Sequence, residues 1–359
     1  MRKIIAINGQ FTARRQTGQE RFAVEIVRAL DKIAEKGKYE LIVPSNATHV
    51  PELENVIVRK FGCIKDPLWE QTFFFLYVLL KRRLSLNLCT IMPILKPGPI
   101  CVHDIAFKTN VLPHVRKTLY KKVSRIWHLL QYNLAFLFSP VVFTVSNYSK
   151  RQMIDVYKVN PNKIVVIGNG WEHFERVQED ETFIKNYPEL FKTPYFFSLA
   201  SLTPNKNFKW VLNVAQQHPE YTFLIGGQAN VLAYGTDFQD KTFPNVRFLG
   251  YISDGEVKCL MRHCKAFLFP SIFEGFGIPP LEALSVGAKI VVSKTSCLPE
   301  IFGNSAYYID PYNPQVNLDE LLSQPVASPE NVLKTYRFSR FAKILDKQMD
   351  EILLKKSGN

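Results

Sequence analysis

The chain has little that would mark it as disulfide-bonded, membrane-spanning or metal-bound. Its six cysteines, at 63, 89, 101, 259, 264 and 297 of 359 residues, form no Cys-x-x-Cys pair and no two-pair Cys/His pattern. That excludes a disulfide framework or a zinc finger as the organising feature, and small buried thiols in a reducing compartment are expected instead. Cys259 and Cys264 flank His263, a spacing that could suggest a metal, but small buried thiols are the expected reading. Only Ile4 to Ile7 separates Met1-Arg2-Lys3 from polar Asn8-Gly9-Gln10, too short for the apolar core of a secretory signal. Long apolar runs are missing too: Phe73 to Leu80 and Leu134 to Val145 fall well short of the roughly 20 residues that a spanning helix needs, and Ser139-Pro140 breaks the second. Acidic residues are scarce, with 32 Asp+Glu against 45 Lys+Arg and a formal charge of +13. This surplus admits nucleic acid, an anionic membrane or a phosphorylated substrate. A 47% hydrophobic composition excludes a disordered chain, and the length suits about two domains.

Short apolar runs alternate with helical stretches along the whole chain. In the first half they are Ile4 to Ile7, Leu41 to Val43, Ile100 to Val102, Val141 to Val145 and Ile164 to Ile167. The second half has Tyr195 to Leu199, Thr222 to Ile225, Val246 to Leu249, Ala266 to Phe269, Lys289 to Val292 and Ala306 to Ile309. Near-continuous apolar strands belong to parallel sheets covered by helices on both faces, so the pattern predicts an α/β unit twice over. The acidic segment Glu172 to Phe191 between the two series reads as a linker. Charge is unevenly shared: 28 basic against 17 acidic residues leave +11 up to residue 190, and 17 against 15 leave +2 beyond it. Much of it lies on the helical stretch from Val115, where Leu119, Val123, Ile126 and Leu130 share one face and Lys117, Lys121 and Arg125 another. A basic amphipathic helix of this kind suits either an anionic membrane surface or an ordinary solvated face.

The chemistry concentrates in Pro270 to Gly287, PSIFEGFGIPPLEALSVG, directly after an apolar strand. A strand, a Gly-containing loop and a helix opening at Pro279-Pro280 form the layout in which backbone amides meet an anion. Glu274 and Glu282 are eight positions apart, and Gly275 and Gly277 place the first before the helix, so one cleft can receive both carboxylates. This string resembles the donor-sugar motif of the retaining family-4 glycosyltransferases, in which two glutamates separated by seven residues surround Gly-Phe-Gly. The resemblance runs over nearly the whole chain, through TGQERFAVEIVRAL, CVHDIAF, TVSNYSKRQM, KIVVIGNG, SLTPNKN and SCLPEIFGNSAYYIDP, and is nearest to the polysaccharide mannosyl- and rhamnosyltransferase branch.

The resemblance implies the GT-B architecture: two Rossmann-like domains facing across a cleft, residues 1–175 on the acceptor side and 176–335 on the donor side, with 336–359 as a helix crossing back to the first. It implies that Glu274 accepts hydrogen bonds from donor-sugar hydroxyls beside the backbone of Gly275, Phe276, Gly277 and Ile278. Glu282 is expected to take the ribose hydroxyls, and Lys206 to neutralise the departing diphosphate. Ser201 and Asn205 fall in the same loop as Lys206. On the acceptor side His103, at a strand end, is expected near the transferred sugar, with Gly18 and Arg21 near the phosphates. Two departures stand out: Ser201 replaces a frequent arginine, and Glu20 puts a carboxylate where a second glycine is common, with Arg14 and Arg15 as candidate compensators. The chain has no Asp-x-Asp motif, and neither a metal nor another cofactor is expected. The expected donor is GDP-mannose, with a UDP or dTDP sugar as the alternative, and the expected acceptor a lipid-linked saccharide at the cytoplasmic face of the membrane. A GT-B sugar-nucleotide epimerase and a basic nucleic-acid binder are the competing classes. The second lacks any base-reading motif, so no nucleic-acid partner is expected.

Overall fold

The computed structural model describes residues 4–64, 68–109, 119–199, 204–227 and 243–355. They form two compact units: the chain up to Gly170 joined by Tyr336 onward, and Trp171–Thr335.

In the first unit the strands are β1 (Ile5–Asn8), β2 (Tyr39–Val43), β3 (Ile57–Lys60), β4 (Leu84–Leu86), β5 (Ile100–Cys101), β6 (Val142–Thr144) and β7 (Ile164–Val166). Their order is β3-β2-β1-β4, continued through a parallel bridge from Asn87 to Ile100 into β5-β6-β7. The second unit holds β8 (Tyr195–Leu199), β9 (Thr222–Gly226), β10 (Val246–Gly250), β11 (Ala266–Phe269), β12 (Ile290–Ser293) and β13 (Tyr307–Ile309), in the order β10-β9-β8-β11-β12-β13. Every pairing is parallel. Each sheet steps outward in one direction, returns, and continues the other way, which is the doubly wound Rossmann arrangement. The order reverses between β1 and β4 in the first unit and between β8 and β11 in the second. Ligands bind beyond the carboxyl ends of the strands at such points.

Every strand expected from the apolar runs is present, and β3 and β4 are additional. β3 is an edge strand whose residues Val58 to Lys60 are exposed, and β4 has only three residues beside Lys81-Arg82-Arg83. Neither carries enough apolar length to stand out. Leu134 to Val145 resolves into a helix end, a break at Pro140 and strand β6. Among the described residues no helix is long and apolar enough to cross a membrane.

The segment expected to be a linker is instead docked on the second unit. Lys258 Nζ donates to the carbonyls of Phe174 and Val177, both at 2.8 Å, and the Asp180 amide donates to Gly255 O at 3.1 Å. Its acidity serves local pairing, with Glu179 at 2.8 Å from Arg262. The helix Phe338–Lys355 buries Phe338, Phe341, Ala342, Leu345 and Met349, a stripe with helical spacing, in the first unit. Gly168, at φ +58°, lets the Phe341 ring pass where a Cβ would lie 2.2 Å from it. Lys38 bridges Asp346 at 2.8 Å and Asp350 at 2.7 Å, and Tyr39 donates to Asp346 at 2.6 Å.

Candidate active site

Two loops leave the switch point of the second sheet side by side, one after β8 and one after β11. They are zipped together. The Ile272 amide donates to Asn205 O at 2.8 Å, Asn205 Nδ2 to Phe273 O at 3.2 Å, and Asn207 Nδ2 to Pro270 O at 3.1 Å. This registry brings Lys206 Nζ to 2.7 Å from Glu274 Oε1, with the ammonium 4.9 Å from the Phe269 ring centroid. The side chains are 23% and 13% exposed, so the pair is sheltered yet open to a ligand. An ammonium has three donors, and Glu274 Oε1 takes one.

A third loop, after β12, holds the β11 loop from behind. Ser296 Oγ accepts the Glu274 amide at 3.2 Å, and the Cys297 thiol faces the carbonyls of Glu274 and Phe276 at 3.3 and 3.2 Å. Thr295 Oγ1 reaches Ile272 O at 3.2 Å. Burial pushes the Cys297 thiol well up, so it stays protonated and donates. Gly277 follows at φ +100°, where a Cβ would also lie 2.8 Å from Leu298 Cδ2. It caps the helix Ile278–Ser285. Pro279 and Pro280 have no N–H, and the Leu281 amide closes the first helical turn onto Gly277 O, so Gly277 and Ile278 supply the amides not used inside the helix.

Glu282, in the middle of that helix, is buried and lies 2.6 Å from Nε2 of buried His173. The structure therefore gathers Asn205, Lys206, Glu274 to Ile278 and Glu282 around one switch point. Ser201 lies outside the described residues.

Gly18, Arg21 and His103 belong to the first unit. Gly18 opens the helix Gly18–Asp31, and Arg21 lies in its first turn. Glu20 is committed to the helix cap: it accepts the Thr17 amide at 3.2 Å and the Thr17 hydroxyl. Arg14 is 2.7 Å from buried Glu70, which gives it a structural task. His103 follows β5, is buried, and has Nε2 3.0 Å from Leu88 O, the proton being on Nε2 because a carbonyl only accepts. Phe22 meets its ring edge-on at 4.7 Å. Burial lowers its pKa to about 4, so the ring is neutral and acts by hydrogen bonding and shape.

Among the described residues one Cys/His/carboxylate group, Glu179, Cys259 and His263, brings ligand atoms within 4.8 Å of one another. Glu179 there already pairs with Arg262 at 2.8 Å and with His263 at 3.3 Å. Cys264 hydrogen-bonds to Met261 O at 3.1 Å, away from any ligand set.

Sequence reasoning missed His173, Ser296 and the role of Cys297. His173 is 109 residues from Glu282, and nothing local signals the pairing.

A lysine and a carboxylate held 2.7 Å apart at a Rossmann switch point make a candidate site for an anionic, polyhydroxylic ligand, and comparison with known proteins shows what the chain resembles. Residues 178–328, nearly the whole second unit, match the model described as "Glycosyl transferases group 1". The O-antigen chain mannosyltransferase RfbU of Salmonella typhimurium (strain LT2) is 26% identical over 278 residues, 72% of this chain and 71% of that protein. Other mannosyltransferase relatives are matched over about half of their length or less. Sucrose-phosphate synthase from Thermosynechococcus elongatus superposes with a TM-score of 0.72 at 12% identity over 99% of this chain and 100% of that one. Anabaena HepE in complex with UDP and glucose gives 0.70 at 15% identity over 98% and 100%. The fold is GT-B, and the chain is a glycosyltransferase whose second unit is similar to the group 1 family and which is similar overall to the family-4-like mannosyltransferase branch.

Proposed function

We propose that the enzyme transfers a hexose, mannose from GDP-mannose, with retention onto a saccharide carried by a lipid-linked polysaccharide precursor. The observation that carries this reading is the Lys206–Glu274 pair at the switch point, 2.7 Å apart. A cation beside a sugar-hydroxyl acceptor matches the two ends of a glycosyl diphosphate, one anionic and one polyhydroxylic. The mannosyltransferase relatives support the sugar, and their O-antigen names support the acceptor class.

In this mechanism Glu274 fixes the donor sugar and Glu282 the ribose. Lys206 and the amides of Gly277 and Ile278 stabilise the charge that develops on the leaving diphosphate. Neither glutamate is assigned as a covalent nucleophile. A phosphate oxygen takes the proton of the incoming hydroxyl on the same face, which retains the anomeric configuration. The protein supplies alignment and charge stabilisation, without a metal.

The helix Leu119–Phe138 supports action at an anionic membrane. Its apolar face is turned outward: Leu119 is 78% exposed, Val123 57%, Ile126 67% and Leu130 41%, beside exposed Lys122 and Arg125. Apolar side chains rimmed by lysine and arginine are complementary to acyl chains under anionic headgroups.

Thermal-shift measurement with GDP-mannose, UDP-glucose and dTDP-rhamnose tests the donor. Ligand at about a hundred times its Kd stabilises by roughly 2.7 kcal/mol, and a response to UDP-glucose alone refutes the GDP assignment. Chelator-sensitive transfer refutes the metal-free mechanism. Isomerisation of the free nucleotide sugar without transfer to an added acceptor refutes transferase chemistry in favour of an epimerase.

A further inference from the structure

The buried pair of His173 and Glu282 has no counterpart in the readings drawn from sequence. Glu282 is 6% exposed and His173 5%, with Nε2 to Oε1 at 2.6 Å. Short, sheltered hydrogen bonds to a carboxylate are among the strong ones, and they fix the plane of the carboxylate as well as its position. The histidine stands on a rigid support. Its neighbour Phe174 is buried and accepts Lys258 Nζ at 2.8 Å, while Trp171 Nε1 donates to Leu333 O at 2.9 Å. On the other side Glu282 is set in the helix Ile278–Ser285, whose start is stiffened by Pro279-Pro280. Both partners are thus anchored by backbone that does not depend on a ligand.

We infer that His173 is a positioning residue for nucleotide selection: it holds Glu282 in the orientation that engages the ribose hydroxyls, and so sets how strongly the enzyme prefers ribonucleotide over deoxyribonucleotide donors. The inference rests on the assignment of Glu282 to the ribose. Ribose and deoxyribose differ by one hydroxyl. A site built to hydrogen-bond a hydroxyl rejects the analogue lacking it only if its own polar groups are held where water and side-chain rotation cannot compensate. A carboxylate free to rotate would re-pair and lose that selectivity. A purely structural hydrogen bond would instead lower stability when broken and leave the ratio of affinities untouched.

The test is calorimetric titration of the full-length enzyme with GDP and UDP and with their 2′-deoxy and 3′-deoxy forms, using the tighter of the two bases for the comparison. Wild type is expected to prefer the ribose form over at least one deoxy form by roughly ten- to a hundredfold, the range of a hydrogen bond to a charged group. Glu282→Gln should collapse that ratio. His173→Leu should bring it to within about threefold of unity and raise KM for the donor much more than it lowers kcat. His173→Gln, whose amide can donate to Glu282, should restore most of the ratio. If His173→Leu fails to fold by thermal melting, His173→Asn, whose donor is too short to reach, takes its place with the same expectation. A ratio kept in His173→Leu or His173→Asn but lost in Glu282→Gln overturns the role of His173 and leaves that of Glu282 intact. A ratio kept in Glu282→Gln, or no binding of any diphosphate, overturns the ribose assignment and the inference with it.

Discussion

Replacing Lys206 with methionine separates the catalytic task of this residue from its structural one. Methionine keeps an unbranched apolar stem against the Phe269 ring and deletes only the charge. Lys206 and Glu274 are 23% and 13% exposed at 2.7 Å, so their pairing is partly solvent-screened and worth about 1 kcal/mol or less to stability. For a 359-residue protein a change of that size moves Tm by about 2–4 °C at most. The rate should suffer far more. Removing a preorganised group that stabilises leaving-group charge typically costs about 10²–10³ in kcat, or roughly 2.7–4 kcal/mol. Release of nucleoside diphosphate in the presence of acceptor, measured at saturating donor, gives kcat, and a melt of the same samples gives Tm. The double variant Lys206→Met/Glu274→Gln sharpens the result. If Lys206 only holds Glu274, the double variant is no slower than the worse single. If Lys206 also meets the diphosphate, the double variant is slower than either. A loss of kcat under tenfold, or a loss that disappears in the Glu274→Gln background, refutes the assignment of Lys206 to the leaving group.

Three further outcomes are expected. His103 has a folded pKa of about 4 against 6.5, so below pH 6.5 the unfolded chain binds the proton first. Its contribution is complete above pH 6.5 and is lost as pH falls toward 4, by at most roughly 3 kcal/mol. Urea melts at pH 7 and pH 4.5 should show a smaller difference for His103→Gln than for wild type, and an equal difference refutes the neutral buried ring. Gly277→Ala forces a Cβ onto φ +100° and to within 2.8 Å of Leu298, and should destabilise by about 1–2 kcal/mol and weaken nucleotide binding. Unchanged melting would show that the loop relaxes freely. Ile126→Glu, at a residue 67% exposed, should leave stability within about 0.5 kcal/mol while reducing sedimentation with phosphatidylserine vesicles. Undiminished binding removes this helix from the membrane contact.

The loop and helix from Glu274 to Glu282 were readable because their residues are contiguous. Glu274 to Glu282 form one string, and the glycine and prolines between them state where the loop ends and the helix begins. The capping of Thr17 by Glu20 was equally legible, since Thr-x-x-Glu ahead of an apolar run is a cap signature. The pairing of His173 with Glu282 was hidden because it joins a four-residue helix, Glu172–Glu175, to a helix 109 residues further along the chain. Helix Leu119–Phe138 was legible only in part. Amphipathic spacing fixes that Leu119, Val123, Ile126 and Leu130 share a face, but not that the face meets a core. The buried residues Gln131, Tyr132, Ala135 and Phe136 fall in its second half instead.

The first unit is discontinuous in the chain, and its closing helix follows the whole of Trp171–Thr335. Phe338 to Met349 fill the groove beside Phe22, Tyr39 and Gly168, and Asp346 and Asp350 neutralise buried Lys38. On the ribosome, all of Trp171–Thr335 is made between Gly170 and that helix. At about 5–20 residues per second this is a wait on the order of ten seconds or more. During that interval the nascent first unit carries an open apolar groove and an unneutralised lysine, while the second unit can form its sheet from contiguous chain. The second unit can therefore form before the first is complete, and the groove that receives the helix stays open until then.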